Sequence, residues 1–169
     1  WVACWILFSA WCSITGWLLS ALEELNCAGY GVSLLVFIVG MALIRRELQV
    51  EVRARSLWCR KPFASRQWLP KIWLLLVCLL FIGGLLYHPN NYDYLTYRFP
   101  RILHWWWEQK WHWIDTVNER LNYSGAGTEW MMMPLFIFFK TDRFFFLINY
   151  ISYLLMPGLV FSVFRSLGL

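Results

Sequence analysis

The chain alternates between long apolar runs and shorter polar segments. Four runs without a charged residue cover 1–22, 25–44, 72–87 and 144–164. Each run has 16 to 22 residues. A helix of about 20 residues crosses the roughly 30 Å of hydrocarbon in a bilayer, because it rises about 1.5 Å per residue. The pattern therefore predicts four membrane-spanning helices.

A fifth apolar stretch, WMMMPLFIFF at 130–139, is too short to cross a bilayer. It follows Glu129 and precedes the polar sequence KTDR, so we predict a short helix or re-entrant piece in the outer membrane interface. The predicted fold class is all-α. It is a polytopic membrane protein with about four transmembrane helices and one or two interfacial amphipathic helices in an outer loop.

The segment YDYLTYRFPRILHWWWE, at 92–108, follows the third run and has a helical pattern of polar and apolar positions. Tyr94, Tyr97 and Arg101 recur at spacings of three and four, while Ile102 and its apolar neighbours fall on another face. The pattern predicts an amphipathic helix along the membrane surface, which Pro100 starts or kinks. On this pattern alone, a simple juxtamembrane anchor explains the segment equally well.

Composition agrees with a membrane protein. Of the 169 residues, 60% are apolar and only 15% are charged, whereas soluble domains have about 45–50% and about 25%. The net charge of +5 does not indicate nucleic-acid binding, because most of the excess lies in one loop.

The loops differ in basic residues, and this difference predicts orientation. Residues 45–71 contain eight Lys or Arg and two Glu, whereas 88–128 contain four basic and four acidic residues. Because Lys and Arg are enriched in cytoplasmic loops, we predict that 45–71 is cytoplasmic and that 88–128 faces the outer, periplasmic or lumenal, side.

The charged residues of the outer segment are candidates for chemistry. Asp93 follows the third run closely, and an acidic group at a membrane edge is a functional candidate. Arg98 and Arg101 are suited to binding a phosphate. Glu119 and Arg120 could line an acceptor groove. The alternatives are an aspartate that caps the helix start and a local Glu119–Arg120 ion pair worth less than about 1 kcal/mol.

Three histidines occur in the same segment. His88, His104 and His112 are 16 and 8 residues apart, and these spacings do not place them well on one helix face. The spacing therefore does not favour a histidine metal site, and the sequence alone predicts no metal ligands.

The stretches PNNYDYLTYRFPRILHW (89–105) and MPLFIFFKTDRFFFLINYISYLLMPGLVFSVFRSLG (133–168) resemble the opening module of the GT-C membrane glycosyltransferases. In that module a spanning helix, an aspartate, an amphipathic helix and a short apolar helix precede the next span. The similarity is to bacterial members of the dolichyl-phosphate-mannose-type and RgtA/B/C/D-like families. We expect two parts: 1–71, with two transmembrane helices and the basic loop, and 72–169, the start of the catalytic module.

The resemblance implies an inverting glycosyltransferase that takes a sugar from a polyprenyl-phosphate carrier. The acceptor would be a glycan, lipid or protein at the outer face of a bacterial inner membrane. The first-loop aspartate of the family corresponds to Asp93, which would be a general base or an orienting, metal-adjacent carboxylate. A divalent ion, Mg²⁺ or Mn²⁺, is compatible with this role. We also expect the chain to be an N-terminal piece that is inactive alone.

The alternative is a non-catalytic polytopic protein, such as a transporter or an assembly subunit for lipid-linked glycans. Transporters place ionisable groups near mid-membrane, whereas all four predicted spans are uncharged. This difference favours chemistry at the membrane surface.

Overall fold

The computed structural model describes residues 1–56 and 68–168, and side chains throughout these ranges except for 45–56. Within them the chain forms helices and no β-strand. Four long helices are α1 (Val2–Ala21), α2 (Cys27–Ser56), α3 (Trp68–Leu86) and α7 (Phe146–Ser166). Between α3 and α7 lie a π-helical segment (Tyr94–Arg98), α4 (Phe99–Glu108), α5 (Arg120–Tyr123) and α6 (Gly127–Phe139).

The four predicted spans are confirmed as helices that are long and apolar enough to cross a membrane. They are Val2–Ala21, Cys27–Ile44, Trp68–Leu86 and Phe146–Ser166. The third begins four residues before the predicted run, so that Lys71 lies in its first turn. Pro70 is compatible with a place in the first helical turn. The protein is therefore an all-α, polytopic membrane protein. Much of the predicted cytoplasmic loop, 57–67, lies outside the described residues.

The long helices pack in two pairs. In the first pair, the Trp11 indole N–H of α1 donates to the Ser33 hydroxyl of α2 at 2.9 Å, and Thr15 shares a 2.7 Å hydrogen bond with the same oxygen. Such bonds between helices join membrane spans, where apolar contacts alone discriminate little between protein and lipid. In the second pair, Phe81 of α3 contacts the ring of Tyr150 of α7 at 5.3 Å between centroids.

The short helix α6 lies between α1 and α4. Its Trp130 is stacked on Trp105 of α4 with 4.8 Å between ring centroids. On the other side, Trp130 packs so closely on Gly16 of α1 that a Cβ there would overlap the indole. A helix of 13 residues is about 20 Å long, too short to span. The prediction that this stretch forms a short helix is confirmed, and seven of its residues are buried against the protein. Its place at the outer membrane interface stays a prediction.

The π-helical segment is explained by Pro100, which is near the start of α4. Proline has no N–H to donate to the carbonyl four residues earlier, and its ring crowds that carbonyl. The carbonyl in question belongs to Thr96, and it accepts a 3.0 Å hydrogen bond from the Asn118 side chain instead. The prediction that Pro100 starts or kinks the helix is confirmed.

The predicted amphipathic helix buries part of its polar stripe, whereas His104 and Glu108, which continue the same spacing, are exposed. Tyr94, Tyr97 and Arg101 are buried, together with Ile102, whereas Leu95 is 56% exposed. The helical spacing was predicted correctly, but the buried face includes residues of both the polar and the apolar stripe. Arg101 lies on the buried face because its counter-ion, Glu129, is buried on another helix, α6.

One end of the bundle holds both the α1–α2 turn and the segment after α4. The Leu25 N–H donates to the Gln109 carbonyl at 3.1 Å, and the Trp111 N–H donates to the Ser20 hydroxyl at 2.7 Å. Lys110 Nζ lies 2.6 Å from Glu23 Oε1. These contacts put the two segments on one side of the membrane, as the predicted topology requires. Which compartment they face stays a prediction.

Candidate functional site

A cavity of about 450 Å³ opens where α3 ends and α7 begins. Its walls come from the segment after α3, the π-helical segment, α6 and the first turn of α7. The lining residues are Tyr87, His88, Pro89, Asn91, Asp93, Tyr94, Arg98, Thr128, Met132, Phe145, Phe146 and Asn149. The cavity thus combines charged side chains with an apolar, aromatic wall.

Asp93 lines this cavity, and its side chain is 54% exposed. It occupies the position before the π-helical segment, but its carboxylate makes no capping hydrogen bond. The Asn91 side chain accepts the Tyr94 N–H at 2.7 Å instead. The alternative interpretation of Asp93 as a helix cap therefore lacks the bond that would define it, and the carboxylate remains accessible from the cavity.

Two predicted arginines lie near Asp93 in different settings. Arg98 lines the cavity, and its guanidinium lies 5.6 Å from the Tyr97 ring centroid. Arg120 Nη1 is 3.7 Å from Asp93 Oδ1, in an exposed pair that contributes less than about 1 kcal/mol. Glu119 is exposed at the start of α5, outside the cavity lining. The predicted Glu119–Arg120 groove is thus represented at the cavity only by the Arg120–Asp93 pair.

Arg101 is not at the cavity, because it is buried as part of an internal network. Its Nη1 lies 3.2 Å from Glu129 Oε1, and its Nη2 donates to the Arg120 carbonyl at 2.7 Å. The Ser124 hydroxyl and carbonyl are further acceptors. A guanidinium occupied in this way is not accessible to a phosphate in the cavity.

Burial and mutual attraction act in opposite directions on this pair. Burial lowers the pKa of the Arg101 guanidinium, and the Glu129 carboxylate partly offsets that effect. Burial raises the pKa of the Glu129 carboxyl, and Arg101 opposes that shift. The pair connects α4 to α6, and α6 forms part of the cavity wall.

Sequence reasoning missed a polar cluster at the cavity rim, made of His88, Tyr94, Asp142 and Arg143. His88 Nδ1 lies 2.8 Å from Asp142 Oδ1, and the Tyr94 hydroxyl donates to Asp142 Oδ2 at 2.7 Å. Arg143 Nε donates to His88 Nε2 at 3.2 Å. Asp142 and Arg143 belong to KTDR, which the sequence presented only as a polar connector. No local spacing could reveal a contact between residues 54 positions apart.

The cluster sets the protonation of two of its members. Partial burial acts to raise the pKa of the Asp142 carboxyl, but the hydrogen bonds from Tyr94 and His88 outweigh it and hold the pKa below its usual value. Burial and the adjacent Asp142 carboxylate raise the pKa of the Tyr94 phenol. Asp142 therefore stays ionised and Tyr94 stays neutral at physiological pH.

The described residues do not fit a divalent metal ion. Among the side chains that the structure describes, at 1–44 and 68–168, no group of three or more His, Cys, Asp or Glu lies close enough to hold one. Both carboxylate oxygens of Asp142 are already bound by His88 and Tyr94. We therefore assign no step to a metal.

Comparison with protein-family models, curated proteins and solved structures finds no match for this chain. The cavity between the ends of α3 and α7 and the resemblance to the GT-C opening module are therefore the two indications of function.

Proposed function

We propose that the protein is a membrane glycosyltransferase of the GT-C type. It would transfer a sugar, with inversion, from a polyprenyl-phosphate carrier to an acceptor at the outer face of a bacterial inner membrane. The observation that carries the proposal is the cavity at the ends of α3 and α7, where Asp93 and Arg98 lie beside an apolar wall. Such a site suits an amphiphile with an anionic headgroup, because one ligand then satisfies both the charge and the apolar surface.

The side chains of the cavity have complementary uses in such a reaction. Arg98 supplies a positive charge for the phosphate, whose negative charge increases as the bond to the sugar breaks. Asp93 offers a carboxylate that either orients the attacking hydroxyl or accepts its proton, and the hydroxyl becomes a good nucleophile only as that proton leaves. The aromatic wall, which includes Phe145 and Phe146, suits the first isoprene units of the carrier.

The location also supports surface chemistry over transport. The four spans contain no Asp, Glu, Lys or Arg before their ends, apart from Lys71 in the first turn of α3. The charged residues of the cavity come from the segments between α3 and α7. A transporter would be expected to place such groups near mid-membrane.

The first prediction concerns Asp93. Membranes that contain the full-length protein are assayed for transfer from a panel of polyprenyl-phosphate sugars, with wild type and Asp93→Asn at matched protein levels. Asparagine keeps the shape but loses the negative charge, so we expect transfer to fall by about 10²-fold or more. The matched control is Asp115→Asn, an exposed residue of the same segment outside the cavity lining, which should leave transfer unchanged.

Equal transfer by wild type and Asp93→Asn would remove Asp93 from the site. Absence of transfer by the wild type from every sugar in the panel would instead favour the non-catalytic alternative.

A further inference from the structure

His88 and Asp142 form a histidine–carboxylate pair at the rim of the cavity. His88 lines the cavity and its side chain is 51% exposed, whereas the Asp142 side chain is only 18% exposed. The carboxylate is thus held within the protein while the imidazole is open to a ligand. Asp142 is fixed in turn by the hydroxyl of the buried Tyr94.

The hydrogen bonds determine which ring nitrogen of His88 carries the proton. Arg143 Nε–H can only donate, so His88 Nε2 must accept and carries no proton. Nδ1 therefore carries the proton and donates it to Asp142. A neutral imidazole with a carboxylate at Nδ1 and an unprotonated Nε2, here bound only by the exposed Arg143, is the arrangement of a general base with its orienting group.

We propose that His88 is the catalytic proton acceptor of this cavity and that Asp142 is its positioning residue. The inference rests on the proposed function and deepens it. The resemblance allows Asp93 to be a general base or an orienting carboxylate. With His88 as the proton acceptor, Asp93 is the orienting carboxylate.

Sugar transfer then forms one bond, breaks one bond and moves one proton. The acceptor oxygen forms a bond to the anomeric carbon while the bond from that carbon to the phosphate oxygen breaks, and its electron pair stays on the polyprenyl phosphate. The acceptor proton moves to His88 Nε2, which gives an imidazolium stabilised by Asp142. The hydroxyl first replaces Arg143 at Nε2, which costs little because Arg143 is exposed. The open ring then releases the proton to water.

The charges around His88 act on the imidazolium that forms in the step. Asp142 favours the imidazolium and Arg143 opposes it, while Tyr94 is neutral and reaches the ring only through Asp142. Asp93 and Arg98 are the other charged residues of the cavity lining, and they have opposite signs.

The test measures kcat and KM for transfer in membranes that contain the full-length protein. Wild type is compared with His88→Gln, which keeps a donor for Asp142 but accepts no proton, and with Asp142→Asn. We expect His88→Gln to lower kcat by about 10²-fold or more. Asp142→Asn should lose less. His104→Gln is the matched control, because His104 is exposed in the same segment and is not in the cavity lining.

A second variant separates chemistry from structure. In His88→Ala, added imidazole can reach the half-exposed position and should restore part of the lost transfer. Loss in both His88 variants without rescue, at normal protein level, would assign His88 a structural role and overturn the inference. Full transfer by His88→Gln with loss in Asp93→Asn would overturn this inference alone. If the wild type transfers nothing, the proposed function fails and this inference fails with it.

Discussion

At the scale of single residues, Arg101 and Glu129 show how burial changes the meaning of a charge. Both side chains are almost completely buried and lie 3.2 Å apart. A buried ion pair contributes little net stability, but removing one partner leaves the other charge uncompensated. Glu129→Ala should therefore destabilise the protein by about 3–5 kcal/mol. The measurement is thermal unfolding in detergent, with the exposed Asp115→Ala as the matched control.

A double variant makes this prediction specific. Arg101→Met with Glu129→Leu removes both charges and keeps most of the volume, so it should cost less than Glu129→Ala alone. If the two single changes simply add in the double variant, the residues are not energetically coupled and the network does not connect α4 to α6.

The same pair shows why the site could be predicted only in part. Asp93 and Arg98 were predicted from their place after a span, which is a local property, and both line the cavity. Arg101 has the same local context, yet its environment is decided by Glu129, 28 residues further along. His88 and Asp142 were missed for the same reason. Local spacing shows which residues share a helix face, but not which face becomes buried.

At the scale of helices, the close approach of α3 and α7 depends on one glycine. A Cβ at Gly84 would overlap the ring of Phe146, whereas a Cβ at the neighbouring Gly83 would meet nothing within 4 Å. Gly84→Ala should therefore destabilise the protein by about 1–3 kcal/mol through overpacking, while Gly83→Ala should not. Both variants are compared by thermal unfolding in detergent. Phe146→Leu in the Gly84→Ala background should recover part of the loss, and equal behaviour of the two alanine variants would refute the contact.

Helices were predicted from the sequence more completely than their packing. The four spans follow from run length alone, since an uncharged run of about 20 residues has few other stable states in a bilayer. The break before Pro100 was also predictable, because it follows from a missing N–H. The burial of α6 against protein was not, since its apolar composition suits contact with lipid and contact with protein equally well. The contacts of the Trp130 indole with Gly16 and Trp105 show the protein contact.

At the scale of the whole molecule, both connecting segments meet at one end of the bundle. The last turn of α1 and the α1–α2 turn contact the 109–111 segment through three hydrogen bonds or ion pairs. At the same end, the His88–Asp142 contact joins the end of α3 to the segment before α7. The cavity therefore lies at the same end of the bundle as the α1–α2 turn, and the direction of α1 decides which side of the membrane the cavity faces.

Labelling of single cysteines tests this side. In a background with the native cysteines replaced, Glu24→Cys in the α1–α2 turn and Val117→Cys in the outer segment should both react with a membrane-impermeant maleimide in intact cells. Both native residues are exposed. Cys59, retained alone as the matched control, should react only after permeabilisation, because its loop is rich in Lys and Arg. Opposite labelling of positions 24 and 117 would contradict the packing. Reaction of Cys59 in intact cells, with positions 24 and 117 reacting only after permeabilisation, would refute the charge-based orientation and move the cavity to the cytoplasmic face.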